Sequence, residues 1–384
     1  MYSNLFKIPD PKWGSKLANL IIDLEKLKVK RLEGEIPPYI FFQLKNIFQI
    51  LETLGSARIE GNNTTLAEYI EEIMDGESTF DESRTEIENI EKAINFIEES
   101  IENNPLDRAF ISQLHKIVTS DLSPPPKGEG SRYPGELRKN SVKIVKSKHT
   151  PPESFILQEY FDGFVKFINQ NLQEQYQLLM VAIAHHRFNY IHPFDNANGR
   201  VGRLLNYALL IKLGFRVKDG RILNPSAVFY VDRDRYYRML STADSLDDEG
   251  VLRWCEYFLS GLKNEIEKID SLLDRNFVKD KILLRSVDFA TQRGLINPQE
   301  EKILKLIVKS DDMAIKSQEL SKIGITKSIQ KTRAMNKLKD QGMVKATKKN
   351  GRVYTVDFRH SYLLRGVIKS LEKEGFVSDF LEKN

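Results

Sequence analysis

Apolar residues recur along most of this chain at the three- and four-residue spacing of an amphipathic helix. On that spacing, helices are predicted over residues 13–29, 38–54, 66–74, 85–102, 107–119, 154–169, 174–187, 200–213, 232–245 and 250–273. The run 177–184 is apolar but for its first residue, as in a buried helix. The pattern breaks at 124–130, which is rich in Pro and Gly. Just beyond, Val142 and Ile144 alternate with Ser141 and Lys143, the period of a short strand in a small hairpin. The charged stretch 263–281 reads as a helix running out into a linker.

The last hundred residues change character. Asn297-Pro298 is a helix start, Asn capping and Pro in the first turn, and Ile303, Leu306 and Ile307 give an apolar face. A second short helix is expected over 315–322. A third, 327–341, is capped by Thr326 and stopped by Gly342. Segments 343–347 and 352–356 flank Asn350-Gly351, a favoured hairpin turn. Three helices and a hairpin suggest a winged helix-turn-helix. The expected fold is therefore mainly α, with a helical core, a β-hairpin flap and this terminal domain. The expected divisions are 1–106 (N-terminal helices), 107–273 (core), 274–289 (linker), 290–358 (winged helix) and 359–384 (helical tail).

Composition adds little beyond this. A hydrophobic fraction of 41% suffices for packed cores, and a net charge of +4 names no partner. The single Cys255 excludes an intrachain disulfide and suits a reducing compartment. Residues 1–13 lack the apolar core of a signal peptide, and Gln43, Lys45, Asn46 and Gln49 interrupt the most apolar region. A cytoplasmic protein with no membrane association is expected. Charge is uneven locally: from Lys327 to Arg352 nine Lys/Arg face one acid, Asp340. Such a basic helix and wing would attract the DNA backbone. A protein-docking wing or a solvated lysine face would look the same.

The chemistry concentrates in His192-Pro193-Phe194-Asp195-Asn196-Ala197-Asn198-Gly199-Arg200-Val201-Gly202-Arg203. A helix starting near Asn198 aims free backbone N–H groups and its positive dipole end at the preceding loop, an anion site. Arg200 and Arg203 lie one turn apart, and their guanidinium forks suit phosphate oxygens. His192, at the mouth, can take a proton from an attacking hydroxyl. Base, anion nest and two arginines together suggest phosphoryl or nucleotidyl transfer to an alcohol. His185 and His186, adjacent on a helix, point about 100° apart and make a poor metal pair. No H-E-x-x-H or Cys-rich spacing supports a metal hydrolase built on His186, His192 and Asp195. His115 and His149 read as structural, and Phe229, Tyr230, Tyr236 and Tyr237 as packing residues, with Tyr236 or Tyr237 at most lining a nucleotide pocket.

This segment resembles the signature of the Fic family, H-x-F-x-[DE]-[GA]-N-[GK]-R-x-x-R, with His192, Phe194, Ala197, Asn198, Gly199, Arg200 and Arg203 on family positions. The resemblance implies a Fic-type core that transfers AMP from ATP to a Ser, Thr or Tyr hydroxyl of a protein target, releasing pyrophosphate. It makes His192 the base, Asn198 and the backbone at Gly199 holders of phosphate oxygens, and Arg200 and Arg203 holders of the β- and γ-phosphates. The family acid that binds Mg²⁺ falls on Asn196, with Asp195 one place earlier: either Asp195 turns inward as the ligand, or Asn196 with the phosphates suffices, or the activity differs from AMP transfer. Ser56-Ala57-Arg58-Ile59-Glu60-Gly61 matches the family's inhibitory signature [ST]-x-x-x-E-[GN]. In that reading an upstream helix sets Glu60 against Arg203 in γ-phosphate space. Without the downstream motif, the same residues read as a helix end. Segment 131–145, with Val142, Lys143 and Ile144 at its centre, resembles the flap that registers the target by main-chain pairing. A homodimer is among the assemblies left open. Two other readings stand beside the transferase: a DNA-binding regulator with a nucleotide-sensing or inactive core, and an enzyme that removes AMP with Glu60 positioning water.

Overall fold

A computed structural model describes residues 4–29, 34–75, 81–144, 148–215 and 225–382. In chain order, α1 (Lys16–Val29), α2 (Pro38–Glu60), α3 (Leu66–Asp75), α4 (Glu82–Ser100), α5 (Arg108–Val118), α6 (Leu157–Ile168), α7 (Glu174–Ile191) and α8 (Asn198–Lys212) are followed by α9 (Ala227–Tyr230), α10 (Arg233–Thr242) and α11 (Asp248–Leu273). Next come α12 (Arg275–Phe277), α13 (Leu284–Gln292), α14 (Pro298–Lys309), β1 (Ala314–Lys316), α15 (Ser328–Asp340), β2 (Val344–Ala346), β3 (Val353–Val356) and α16 (Leu363–Lys373).

The chain divides into two compact units that interleave in sequence. The first comprises 1–30, 52–64 and 79–266, and the second 31–51, 65–78 and 267–384. In the first, α7 packs on α6 and α8, while α4 and α5 pack on each other and on α8. Phe161, Phe164, Phe188 and Phe194 are fully buried here. Trp254 of α11 joins this core and donates Nε1–H to the Ala182 carbonyl at 2.6 Å. The stretch 178–184 of α7 is apolar on all sides and buried on all sides, as an enclosed helix requires.

In the second unit β3 lies between β1 and β2, antiparallel to both, with Ile315 opposite Tyr354 and Lys345 opposite Thr355. Helix α14 starts on a complete capping box, Asn297 with Glu300. Gln43 of α2 binds the sheet's end, donating to the Val356 carbonyl and accepting from the Phe358 amide, both at 3.0 Å. Helix α13 packs on α16, closely enough that a Cβ on Gly366 would collide with the Ser286 backbone.

Several boundaries differ from the sequence expectation. Residues 274–289 form no open linker. They are helical through α12, a π-helical turn (Val278–Leu283) and α13, because Val278, Ile282, Leu283 and Val287 are buried apolar positions that the surrounding charges conceal. The helix expected at 315–322 begins as β1 and continues as a 3₁₀ helix, Ser317–Ile323. Helix α15 has Lys327, not Thr326, at its cap position, with no side-chain cap.

Candidate active site

Helix α7 ends where His192 turns into the left-handed region, φ 50° and ψ 62°, with its N–H still bonded to the Phe188 carbonyl. Left-handed backbone at a non-glycine residue costs about 1–3 kcal/mol and persists only where the surroundings enforce it. Here the enforcement is visible. Arg138, 3% exposed, donates Nε–H to the His192 carbonyl at 2.8 Å, and its backbone N–H bonds the Pro193 carbonyl at 2.9 Å. Its other guanidinium nitrogens reach the Asn140 and Pro152 carbonyls, so one arginine ties the histidine to the flap segment. Phe194 anchors the loop from within, stacked on His115 with centroids 3.9 Å apart.

His192 Nδ1 faces the Asn189 carbonyl at 3.4 Å. A carbonyl only accepts, so Nδ1 carries the proton and Nε2 keeps its lone pair. Burial pushes the imidazole down to about 4, so it stands neutral at physiological pH.

Helix α8 starts immediately after the loop. The Asn198 side chain is buried and braces the loop: Oδ1 accepts from the Phe194 N–H and Nδ2 donates to the Phe194 carbonyl, each at 2.9 Å. Asn198 therefore shapes the loop. The backbone N–H groups at the helix start remain the anion-facing donors. Arg200, completely buried, lies 3.1 Å from Glu86 and donates to the Glu129 carbonyl at 2.6 Å. Arg203 donates Nε–H to Ser56 Oγ and an Nη2 proton to the Ser56 carbonyl, both at 2.8 Å, and pairs with Glu60 at 2.9 Å.

Ser56 and Glu60 occupy the final turns of α2, which runs six residues further than its apolar pattern suggested and is stopped by Gly61 at φ 115°. Beyond it, Asn62 donates to Glu86 at 2.8 Å, and Arg58 binds the Asn63 and Thr64 carbonyls. The Glu60 carboxylate lies over the start of α8, where a Cβ on Gly199 would collide with Oε1. Burial pushes the Glu60 carboxyl up. Arg203 and then Arg200 outweigh it and hold the group below the usual carboxylate range, so it is ionised.

Asp195, one of the two metal ligands considered from the sequence, accepts from Ser131 Oγ and the Arg132 N–H on its two oxygens, closing the loop before the flap. Asn196 donates Nδ2 protons to the Gly130 carbonyl at 3.1 Å and Glu129 Oε2 at 3.3 Å, leaving its amide oxygen as the candidate ligand atom. In the flap segment, Ser141 and Lys143 are exposed while Val142 and Ile144 are half-buried, the expected alternation, yet no strand forms across 141–144. A strand needs a partner, and Val145, the far end of the expected arm, lies outside the described residues. His185 bonds Tyr236 and Asn206, and His186 bonds Asp244 and Arg187. Burial pushes His185 down to about 3 and His186 well below its usual value, so both are neutral packing groups. Tyr237 is 43% exposed. Among the described residues, no group of three or more His, Cys, Asp or Glu could hold a metal ion, and no helix is long and apolar enough to cross a membrane.

The left-handed histidine, the helix start behind it and the paired arginines come together in one site, a neutral imidazole beside an anion-facing helix start. A sequence model described as the Fic/DOC family matches residues 105–210, and the chain carries a Fic/DOC domain there. Similar curated proteins include protein adenylyltransferase Fic of Drosophila ananassae, 29% identical over 212 residues (53% of this chain, 38% of that protein). The protein of the same name from Nematostella vectensis is 26% identical over 207 residues (52% and 44%). The chain thus spans 38% and 44% of the length of these two relatives. Among solved structures, a Fic family protein from Desulfovibrio desulfuricans G20 aligns with TM-score 0.56 and 17% identity, covering 91% of this chain and 98% of that one. Fic-1 from C. elegans aligns with TM-score 0.51 and 18% identity over 67% and 73%. These structures share the fold.

Proposed function

We propose that this protein transfers AMP from ATP to a hydroxyl side chain of a protein target, and that segment 56–62 holds the reaction off. His192 Nε2 takes the hydroxyl proton as the oxygen attacks the α-phosphorus. The bond from that phosphorus to the bridging oxygen breaks, and pyrophosphate leaves with the electron pair. The α8 N-terminus, Arg200 and Arg203 hold the β- and γ-phosphates against the attack direction. Mg²⁺ accompanying ATP would neutralise phosphate charge. The Asn196 amide oxygen and the neighbouring Glu129 carboxylate are hard oxygen donors that fit it. Segment 141–144 follows Arg138, which binds the His192 carbonyl, and this supports a role in registering an extended target strand.

The observation that carries the inhibited state is the Glu60 carboxylate on Arg203, over Gly199. A carboxylate there mimics a terminal phosphate and excludes one. Intact-mass measurement after incubation with ATP and Mg²⁺ tests both halves. Glu60→Gly should gain AMP on itself or on a target, by an order of magnitude or more over wild type, and adding His192→Ala should abolish the gain. No gain in folded Glu60→Gly would refute the inhibitory role. A gain that survives His192→Ala would refute the base.

The terminal unit supports a second, separable role. Its order of helices, three-stranded sheet and 348–352 turn fits a winged helix. Lys327, Arg333, Lys348, Lys349 and Arg352 are all exposed and make no side-chain ion pair or hydrogen bond among the described residues. The other four basic residues of this stretch are engaged internally: Lys331 with Gln318, Lys337 with Glu300, Lys339 with Tyr354 and Lys345 with Asp357. Five free cations on one helix and turn suit duplex DNA phosphates. The buried thiol of Cys255 is consistent with the expected cytoplasmic setting.

A further inference from the structure

The Fic-type motif of this chain has an amide, Asn196, where its signature has an acid, and the acid beside it, Asp195, is committed to Ser131 and Arg132. Another carboxylate lies close by. Glu129, from the Pro/Gly-rich loop after α5, places Oε2 at 3.3 Å from Asn196 Nδ2 and 3.4 Å from Arg200 Nη2. Its backbone carbonyl binds the same guanidinium at 2.6 Å, and the next carbonyl, of Gly130, holds the Asn196 amide at 3.1 Å. The loop is thus pinned at three points against the motif, with the Glu129 side chain at its open edge, 47% exposed. We propose that Glu129, with the Asn196 amide oxygen, is the protein ligand set for the divalent cation that enters with the nucleotide.

Three observations converge. The site is built for a polyanion independently of Glu129. Arg203 Nη1 and Arg200 Nε, in side chains 2% and 0% exposed, have no hydrogen-bond partner among the described residues. Arg203 Nη1 would also lie 3.2 Å from a Cβ on Gly199, so it is aimed at the start of α8. Next, the other carboxylates near Arg200 have prior tasks: Glu60 binds Arg203, and Glu86 is buried between Arg200 and Asn62. Glu129 is the most exposed of the three, 47% against 27% for Glu60 and 3% for Glu86, and so the most open to a hydrated cation. Finally, the donor set suits the ion. Mg²⁺ keeps several waters and takes one or two carboxylates together with substrate phosphates, so one carboxylate and one amide oxygen suffice. In place of the signature acid, the loop 124–130 brings a charged ligand, and Asn196 both orients it and adds a neutral oxygen.

The inference rests on the nucleotide site proposed above, and its test separates the two. In the full-length Glu60→Gly protein, Mn²⁺ binding is measured by electron paramagnetic resonance with a non-hydrolysable ATP analogue present, and analogue binding is measured without metal. Glu129→Gln should weaken Mn²⁺ by about tenfold, a loss of the size expected for removing one charged ligand, while metal-free analogue binding is retained. Placing the signature acid back with Asn196→Asp should restore Mn²⁺ affinity to the Glu129→Gln protein. Unchanged Mn²⁺ affinity in Glu129→Gln, or no recovery with Asn196→Asp, overturns the assignment and leaves the nucleotide site standing. Absence of analogue binding in the Glu60→Gly parent overturns both.

Discussion

Ser56 and Glu60 hold the same guanidinium by different chemistry. Glu60 contributes charge at 2.9 Å, whereas Ser56 contributes one hydroxyl and one carbonyl acceptor. A hydrogen bond to a charged group contributes about 1.5–3 kcal/mol net. Ser56→Ala removes one such bond and keeps the ion pair, so it should release activity by roughly tenfold, clearly less than Glu60→Gly. Equal activation by the two, measured as AMP incorporated per minute, would mean that the serine and not the charge sets the latch. The latch should also be indifferent to pH above neutrality. The Glu60 carboxyl is depressed below its ordinary 4.5, so its contribution is complete above that value and is lost only as pH falls through the lower folded-state pKa. Above the titration of the neighbouring Glu52, which burial pushes up to about 7, the ratio of Glu60→Gly to wild-type activity should therefore stay flat to about pH 9.

At the scale of the element, the second half of α2 is a fitted part. Glu52, buried and pushed up to about 7 by desolvation, accepts from the Ser226 N–H at 2.8 Å and from its hydroxyl. Gly55 faces the Tyr230 ring so closely that a Cβ there would collide with it. Gly55→Ala gains about 1 kcal/mol of helix propensity but incurs about 1–3 kcal/mol of overpacking. The collision should win. Residues 52–62 should then exchange amide hydrogens faster and basal AMP transfer should rise; unchanged exchange would show that the Tyr230 ring yields. The helices themselves were legible because their apolar stripes are local. So was the pairing of the 192–203 loop with an anion, since histidine, small residues and arginines fall in twelve consecutive positions. Arg138, Glu86 and Glu129 were not. Each is one charged residue in a charged stretch, and only the folded chain reveals that Arg138 and Glu86 are buried and that Glu129 faces Asn196. The interleaving of the two units was equally hidden, because α2 is continuous while its first half belongs to one unit and its second to the other.

At the scale of the whole molecule, four histidines are held in the neutral form, three of them buried and His192 half-buried: His115 and His192 down to about 4, His185 to about 3, and His186 well below its ordinary value, each chiefly through desolvation. Their folded pKa values lie below the unfolded value, so the unfolded chain binds more protons between them. Stability is complete above about pH 6.5 and declines as pH falls, by up to about 1.4 kcal/mol per pH unit for each histidine. Chemical denaturation at pH 7 and pH 5 should show a large loss, and equal midpoints would contradict the buried neutral assignment. The terminal unit gives a salt-dependent prediction. The full-length protein should shift duplex DNA at low salt, with a log–log slope near −4.5 if all five free cations contact phosphates, about −0.9 for each. Lys348→Ala with Lys349→Ala should reduce the slope by about 2. No binding at low salt would end the DNA reading.

The carboxylate that occupies the phosphate seat belongs to the same polypeptide as the seat, and this makes it a tethered competitor. A tethered group acts at a local concentration set by its linkage, commonly millimolar or above, and dilution does not weaken it. Nucleotide must outcompete that fixed concentration, so the proposed enzyme would respond to the absolute level of ATP rather than to the ratio of ATP to protein. Its activity per molecule should be the same at nanomolar and micromolar protein, and a rise or fall across that range would show that a second copy contributes to the latch.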